Sequence, residues 1–291
     1  MRLVTFALAD DVERLGLLCD GAVHAMALPP GPEAMLRFIS VPADERRSMA
    51  ATAASGPAYG LPEVRLMAPI PKPPRNVFCV GKNYHEHATE FHASGFDLGS
   101  RTSRPDHPVF FTKATTSVIG PDDTIRSGLD PTGTTDYEGE LALVVGVGGR
   151  AIAAGDALDH VFGYTAFNDV TSRELQRRHG QWFLGKSIDT YGPMGPCIVT
   201  ADEIGDPAAL RLRLELNGEV RQSARVSDLI FTIPELIECL SAVVTLRPGD
   251  VIATGTPAGV GIGRTPPCYL MPGDLVELTI EGIGRLSNPV D

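Results

Sequence analysis

No stretch of this 291-residue chain has the apolar run that a membrane-spanning helix needs. The start is not that of a secretory signal either, since Asp10, Asp11 and Glu13 follow within a few residues. Basic residues are in deficit: 25 Lys and Arg stand against 36 Asp and Glu, a formal net charge of −11. That balance argues against non-specific partners such as nucleic acid or an anionic membrane, which favour basic surfaces. It does not bear on small anionic substrates, which local charge can meet. Cysteines are few, odd in number (Cys19, Cys79, Cys197, Cys239, Cys268) and never in a C-x-x-C pair. Free buried thiols in a reducing cytoplasm are expected, rather than a disulfide framework or a zinc site. The Gly-rich stretch Gly255-Thr256-Pro257-Ala258-Gly259-Val260-Gly261 has neither a P-loop ending nor dinucleotide spacing, so no nucleotide is expected there. Its backbone N–H groups can still face a carboxylate. Regular alternation of helix and strand is also missing, which argues against a (β/α)8 barrel or doubly wound sheet. A mixed β (α+β) fold with a twisted or rolled sheet remains.

What the chain does contain is a strand pattern at 134–146, rich in Val and Leu and closed by glycine. Alternation puts Glu138 and Glu140 on one face, with Asp136 in the same parity just ahead of the strand proper. Two carboxylates on one face of an apolar strand repel each other unless a cation sits between them. A hard divalent ion with oxygen ligands meets that need. An edge strand with solvated acids is the competing reading, and it suits the apolar run 141–145 less well.

Taken in order, residues 1–68 form a small β-rich α+β unit. Short strands at 1–6 and 14–19 lead to a turn at Asp20-Gly21 and a returning strand at 22–28, followed by a helical stretch over 32–53. His24 in this unit reads as structural. The Pro-rich segment 69–75 is a stiff linker, and 76–291 is the second domain. After a short buried strand at 76–81, a helical piece sets His87 and Glu90 three residues apart. They are neighbours on a helix, so the carboxylate can orient the imidazole as a general base requires; an incidental exposed pair is the alternative. His85 and His87 fall on different faces and do not suit one metal. Residues 92–108 lack periodicity and read as a mobile loop beside His87, a candidate lid.

A strand at 109–113 ends in Lys113. The strand starting at Val161 leads to Asp169, either a third carboxylate for Glu138 and Glu140 or a helix N-cap ahead of Val170. Arg173 and Gln176 lie on the helix that follows, and Lys186 comes after the aromatic pair Trp182-Phe183. Asn217-Gly218 is a strong hairpin signal. Residues 233–240 form an amphipathic helix with an early proline, and a last strand covers 275–280.

Several of these pieces, in this order, resemble the fumarylacetoacetate hydrolase family. They are Gly81-Lys82-Asn83-Tyr84, Tyr137-Glu138-Gly139-Glu140-Leu141, Asn168-Asp169-Val170-Thr171-Ser172-Arg173, Gly185-Lys186-Ser187, Asn217-Gly218-Glu219 and the loop that follows Thr254. The resemblance implies a β-sandwich roll as the catalytic domain over roughly 70–290, with the small variable N-terminal domain of bacterial members. It implies Mg²⁺ or Mn²⁺ (Ca²⁺ as a substitute in crystals) held by Glu138, Glu140 and Asp169, with His87, Glu90 and Lys186 as catalytic residues. Arg173, Gln176, Gly255 and Thr256 become substrate-binding positions, and a homodimer is implied. Gly139 is a departure, because many members carry a larger residue there.

The activity implied is metal-dependent hydrolysis of a C–C bond in an acylpyruvate or related β-diketo acid, a small anionic oxo acid. The metal stabilises the departing enolate, Lys186 supports the developing oxyanion, and His87–Glu90 activates water. Oxaloacetate-type decarboxylation, and keto–enol or double-bond isomerisation of a hydroxy-dienedioate, use the same enolate. A catalytically silent oxo-acid-binding module is the reading from another class; a complete set of site residues speaks against it.

Overall fold

The computed structural model describes residues 1–96 and 104–291. Strand Gly139–Val145 is buried at every position, which requires partners on both edges and packing on both faces. It pairs antiparallel with Val161–Asn168 on one side and Val251–Ala253 on the other. From there the sheet continues through Gly192–Thr200 to the N-terminal strands Arg2–Ala7, Arg14–Cys19, Ala22–Ala25 and Ala58–Gly60. In the other direction it passes through Val77–Gly81 to Val109–Lys113. The N-terminal strands therefore share one sheet with the strands of the site, Arg2 pairing with Val199 and Leu3 with Ile198.

A second, four-stranded antiparallel sheet is built from Arg211–Leu216, Glu219–Arg225, Leu275–Ile280 and Gly284–Pro289. Leu212, Leu214, Leu216, Val276, Leu278 and Ile280 alternate inward and join Leu141 and Leu143 in one core. Face-to-face burial of two such sheets is the sandwich that the family resemblance implies. Gly139 lies under this contact: a Cβ there would meet Leu278 Cδ1 at 2.9 Å and Leu214 Cδ1 at 3.1 Å. The second sheet thus explains why this position carries no side chain.

Three local expectations change. The helical stretch 32–53 is two helices, Ala34–Ile39 and Ala43–Ala54, because Pro42 cannot donate to a continuing helix but suits the position before a new one. Strand Leu275–Ile280 is followed by another, Gly284–Pro289; few of its residues are apolar, so its alternation is hard to read. Only Cys79 and Cys197 are buried; Cys19 and Cys268 are half-buried, Cys239 is exposed, and all five are free thiols. The hairpins at Asp20-Gly21 and Asn217-Gly218 form as expected, with both central residues of each at positive φ, as a type I′ turn demands. Helix His85–Ala93 takes in the start of the 92–108 segment, and the part of the expected lid at 97–103 lies outside the described residues. Among those described, no helix is long and apolar enough to cross a membrane.

Candidate metal centre

The stretch 134–146 is two strands rather than one. Thr135–Asp136 pairs with Thr171–Ser172, and Tyr137 and Glu138 link it to Gly139–Val145. Gly139 pairs with Asn168 and Glu140 with Phe167. One step on, the Asp169 N–H donates to Glu138 O at 2.8 Å. This register delivers the Asp169 carboxylate beside the other two. Ligand oxygens of Glu138, Glu140 and Asp169 lie within 4.8 Å of one another, and all three residues are buried. Asp169 caps no helix: helix Arg173–Arg178 begins four residues later with Ser172 at its N-cap.

Positive groups meet two of the three acids. Lys186 Nζ donates at 2.7 Å to Glu138 Oε2 and at 2.7 Å to Asp169 Oδ2. Lys113 Nζ lies 2.8 Å from Asp169 Oδ1 and donates to Val170 O at 2.9 Å, so the second oxygen of Asp169 also faces a buried ammonium. Arg173 Nη1 reaches Glu138 Oε1 at 2.5 Å and its Nε reaches Asp136 Oδ2 at 2.8 Å. Glu140 receives the Gly255 N–H at 2.7 Å and, among the described residues, has no ion pair. Burial raises the Glu140 carboxyl well above the ordinary range, and Asp169 and Glu138 push it the same way. Burial would raise Glu138 too, but Lys186 and Arg173 outweigh it and hold that carboxyl low. Burial lowers both lysines; Asp169 and Glu138 more than offset this for Lys186, whereas Lys113 stays below the usual value. Three enclosed carboxylates within 4.8 Å of one another, one of them without a counter-charge among the described residues, fit a hard divalent cation held by oxygen.

Glu138, Glu140, Lys186, Arg173, Gln176, Thr256 and His87 line one small cavity of about 10 Å³, walled by Phe91, Phe111 and Trp182. That is room for about one water. Helix His85–Ala93 presents His87 because strand Val77–Gly81 runs parallel to Val251–Ala253, placing the ends of both strands beside Glu140. Glu90 stands behind His87, with Oε2 3.4 Å from Nδ1. Among the described residues, Arg173 Nη2 is buried without a hydrogen-bond partner, and Gln176 Oε1 accepts from Arg173 Nη1 at 3.3 Å.

The Gly-rich loop does face carboxylates, and they are the protein's own. Gly255 N–H serves Glu140, Gly259 N–H serves both oxygens of Glu90 at 3.1 and 3.2 Å, and Gly261 and Ile262 N–H serve Asp136 at 2.7 and 2.9 Å. The Thr256 hydroxyl donates to Gly139 O at 3.0 Å and accepts from Gln222 Nε2 at 2.8 Å. Three residues at the site carry no role in the sequence reading. Lys113 announces itself only as a lysine ending an apolar strand. Asp136 shares the parity of the two glutamates. Gln222 comes from the second sheet, donating to Pro257 O and accepting from Gly139 N, and nothing local in its strand marks it.

Residues 76–291 match the family described as fumarylacetoacetate (FAA) hydrolase, C-terminal. The oxaloacetate tautomerase YisK of Bacillus subtilis is 52% identical over 232 residues, 80% of this chain and 75% of that protein. Among solved structures, the fumarylacetoacetate hydrolase of Exiguobacterium antarcticum superposes with a TM-score of 0.82 at 39% identity, covering 100% of this chain and 99% of that one. The maleylpyruvate hydrolase of Sphingobium sp. SYK-6, in complex with manganese (II) ion and pyruvate, gives 0.80 at 31% identity, over 100% and 98% of the two chains.

Proposed function

The chain belongs to the fumarylacetoacetate hydrolase family, and on that premise we propose that it is a divalent-metal-dependent enzyme interconverting the keto and enol forms of oxaloacetate. The observation that carries this reading is the buried Glu138–Glu140–Asp169 group, whose two glutamates line the same cramped cavity as His87. A four-carbon diacid displaces less of the Phe91–Phe111–Trp182 wall than a long-tailed acylpyruvate would. The relative 52% identical to this chain, named an oxaloacetate tautomerase, supports the same choice.

Glu138, Glu140 and Asp169 would hold Mg²⁺ or Mn²⁺, and a structure of the family carries manganese. The ion would act as a Lewis acid on the 2-oxo oxygen, lowering the cost of negative charge there. Around it, the chain's own groups divide the remaining work. His87, oriented by Glu90, would take the C3 proton and, as the imidazolium, pass it to the enolate oxygen, the same transfer running backwards from enol to keto. Lys186, Arg173, Gln176 and Thr256 orient the acid and its developing oxyanion, while the aromatic wall limits water. The Gly255 N–H sets Glu140. Free thiols and the bacterial relative fit a cytoplasmic enzyme, and a homodimer completes the proposal.

The 3.4 Å His87–Glu90 contact favours a second reading, C–C hydrolysis of an acylpyruvate, because such a pair can also activate water. The test follows the absorbance of enol-oxaloacetate and the cleavage of an acylpyruvate, each with Mg²⁺, Mn²⁺ and EDTA. Faster enol decay that EDTA abolishes, and a loss on His87→Ala of about 10²-fold or more, is the expected result. Acylpyruvate cleavage without enol decay would transfer the assignment to the hydrolase; pyruvate release from oxaloacetate would transfer it to a decarboxylase.

A further inference from the structure

Asp136 is fully buried and outside the proposed ligand set, yet each of its oxygens carries two donors. Oδ1 accepts the N–H groups of Gly261 at 2.7 Å and Tyr137 at 2.8 Å. Oδ2 accepts Ile262 N–H at 2.9 Å and Arg173 Nε at 2.8 Å. A carboxylate offers about four acceptor sites, so this one is saturated.

Through Arg173, which lines the cavity, it reaches Glu138, and it fixes the plane of a guanidinium whose Nη2 has no hydrogen-bond partner among the described residues. Through the loop it reaches the opposite wall. Gly259, two residues before Gly261, gives its N–H to both oxygens of Glu90, and Glu90 faces His87. The Tyr137 hydroxyl donates to Gly259 O at 3.0 Å, tying the same loop from the neighbouring residue.

The contacts leave no slack. A Cβ on Gly261 would meet Asp136 Oδ1 at 2.6 Å and Cys268 O at 2.0 Å, and one on Gly263 would meet Glu90 Oε1 at 2.0 Å. The loop lies flat between two carboxylates. Burying an ion pair is no efficient route to stability, since apolar residues of like volume often do as well. What the Asp136–Arg173 pair supplies is direction.

We propose that Asp136 is a positioning residue that holds Arg173 and the His87–Glu90 pair in register, with the 255–263 loop as the strut between them. What the two arms do rests on the reaction proposed above; their coupling does not. The test compares wild type, Asp136→Asn and Gly263→Ala, each loaded with Mn²⁺, using oxalate, an unreactive dicarboxylate that mimics the planar enolate of a 2-oxo acid, as the probe. Binding is read from the fluorescence of Trp182, the only tryptophan in the chain. Asp136→Asn keeps an oxygen for Gly261 but turns an amide N–H toward Arg173. Oxalate affinity should fall about tenfold, and hydrogen exchange across 255–264 should quicken as far back as Gly259. Gly263→Ala, which displaces Glu90, should weaken oxalate and quicken exchange at Gly261 from the other end.

Wild-type oxalate affinity in Asp136→Asn, with only a lower melting temperature, would overturn the coupling and leave Asp136 a structural anchor. If Asp136→Asn does not fold, Gly263→Ala decides: unchanged oxalate affinity and exchange overturn the proposal, and a joint change supports it. Neither readout needs turnover. A wild type inert toward enol-oxaloacetate would remove the proposed reaction while oxalate binding and exchange still decide the coupling.

Discussion

Lys113 Nζ and Asp169 Oδ1 lie 2.8 Å apart, and neither side chain has exposed surface. Asp169 also receives Lys186, so two buried lysines share one acid. Losing Lys113 leaves Asp169 its Lys186 partner but strips one of the acid's two counter-charges and the hydrogen bond to Val170 O, which costs about 1–3 kcal/mol. Lys113→Met should lower the stability of the metal-free protein by that amount in urea unfolding. Mn²⁺ should stabilise the variant more than the wild type, because one positive charge beside the ion is gone. A loss under about 1 kcal/mol, the scale of an exposed pair, would contradict this.

Glu138 and Glu140 look equivalent in sequence and differ in environment. Glu138 meets Lys186 and Arg173; Glu140 meets the Gly255 N–H. Glu138→Gln should destabilise the metal-free protein by about 3–5 kcal/mol. Glu140→Gln keeps an oxygen for Gly255 and should leave stability within about 1 kcal/mol or raise it. Both should weaken Mn²⁺ binding measured by electron paramagnetic resonance. Equal stability losses in the two variants would refute the asymmetry.

Trp182 packs edge-on against Phe111 at 5.2 Å and Phe91 at 6.1 Å between ring centres. A Cβ on Gly81 would meet its Cζ3 at 2.3 Å. Gly81→Ala should therefore expel the indole, shift its emission to longer wavelength, and cost about 1–3 kcal/mol of overpacking. Emission and stability both at wild-type values would show that the wall yields freely.

Asp130 organises the approach to strand Thr135–Asp136. It accepts the Thr132 N–H at 2.9 Å, the Thr132 hydroxyl at 2.6 Å and the Thr134 N–H at 3.0 Å. Burial alone would raise this carboxyl, but the hydrogen bonds from Thr132, Ser172 and Thr134 outweigh it and hold it below the usual range. With the folded value depressed, its contribution is complete above the unfolded value of about 3.9 and is lost as pH falls through the folded one. Urea midpoints taken from about pH 6 to about pH 3 should fall less steeply for Asp130→Asn than for wild type. Parallel curves would remove Asp130 from the acid response.

Much of the site is legible because it depends on local order. Strand periodicity puts Glu138 and Glu140 on one face, and helical spacing sets His87 against Glu90. Asn217-Gly218 needs only its own two residues to form a turn. The break at Pro42 and the strand Gly284–Pro289 are harder to read. The first competes with helix-forming neighbours, and the second is held by its partner strand Leu275–Ile280 more than by its own pattern.

Composition and local periodicity name the acids, bases and cations and put most of them on their elements, Glu138 excepted, which lies in the link ahead of Gly139–Val145. Tertiary structure alone decided the partners. The pairing of Gly139 with Asn168 brings Asp169 to the glutamates, and Lys113 and Gln222 arrive from distant strands. It also decided that the glycine loop binds the protein's own carboxylates, Glu140, Glu90 and Asp136. Such contacts depend on sheet register and burial, which join residues from 29 to 169 positions apart and leave no mark in either segment alone.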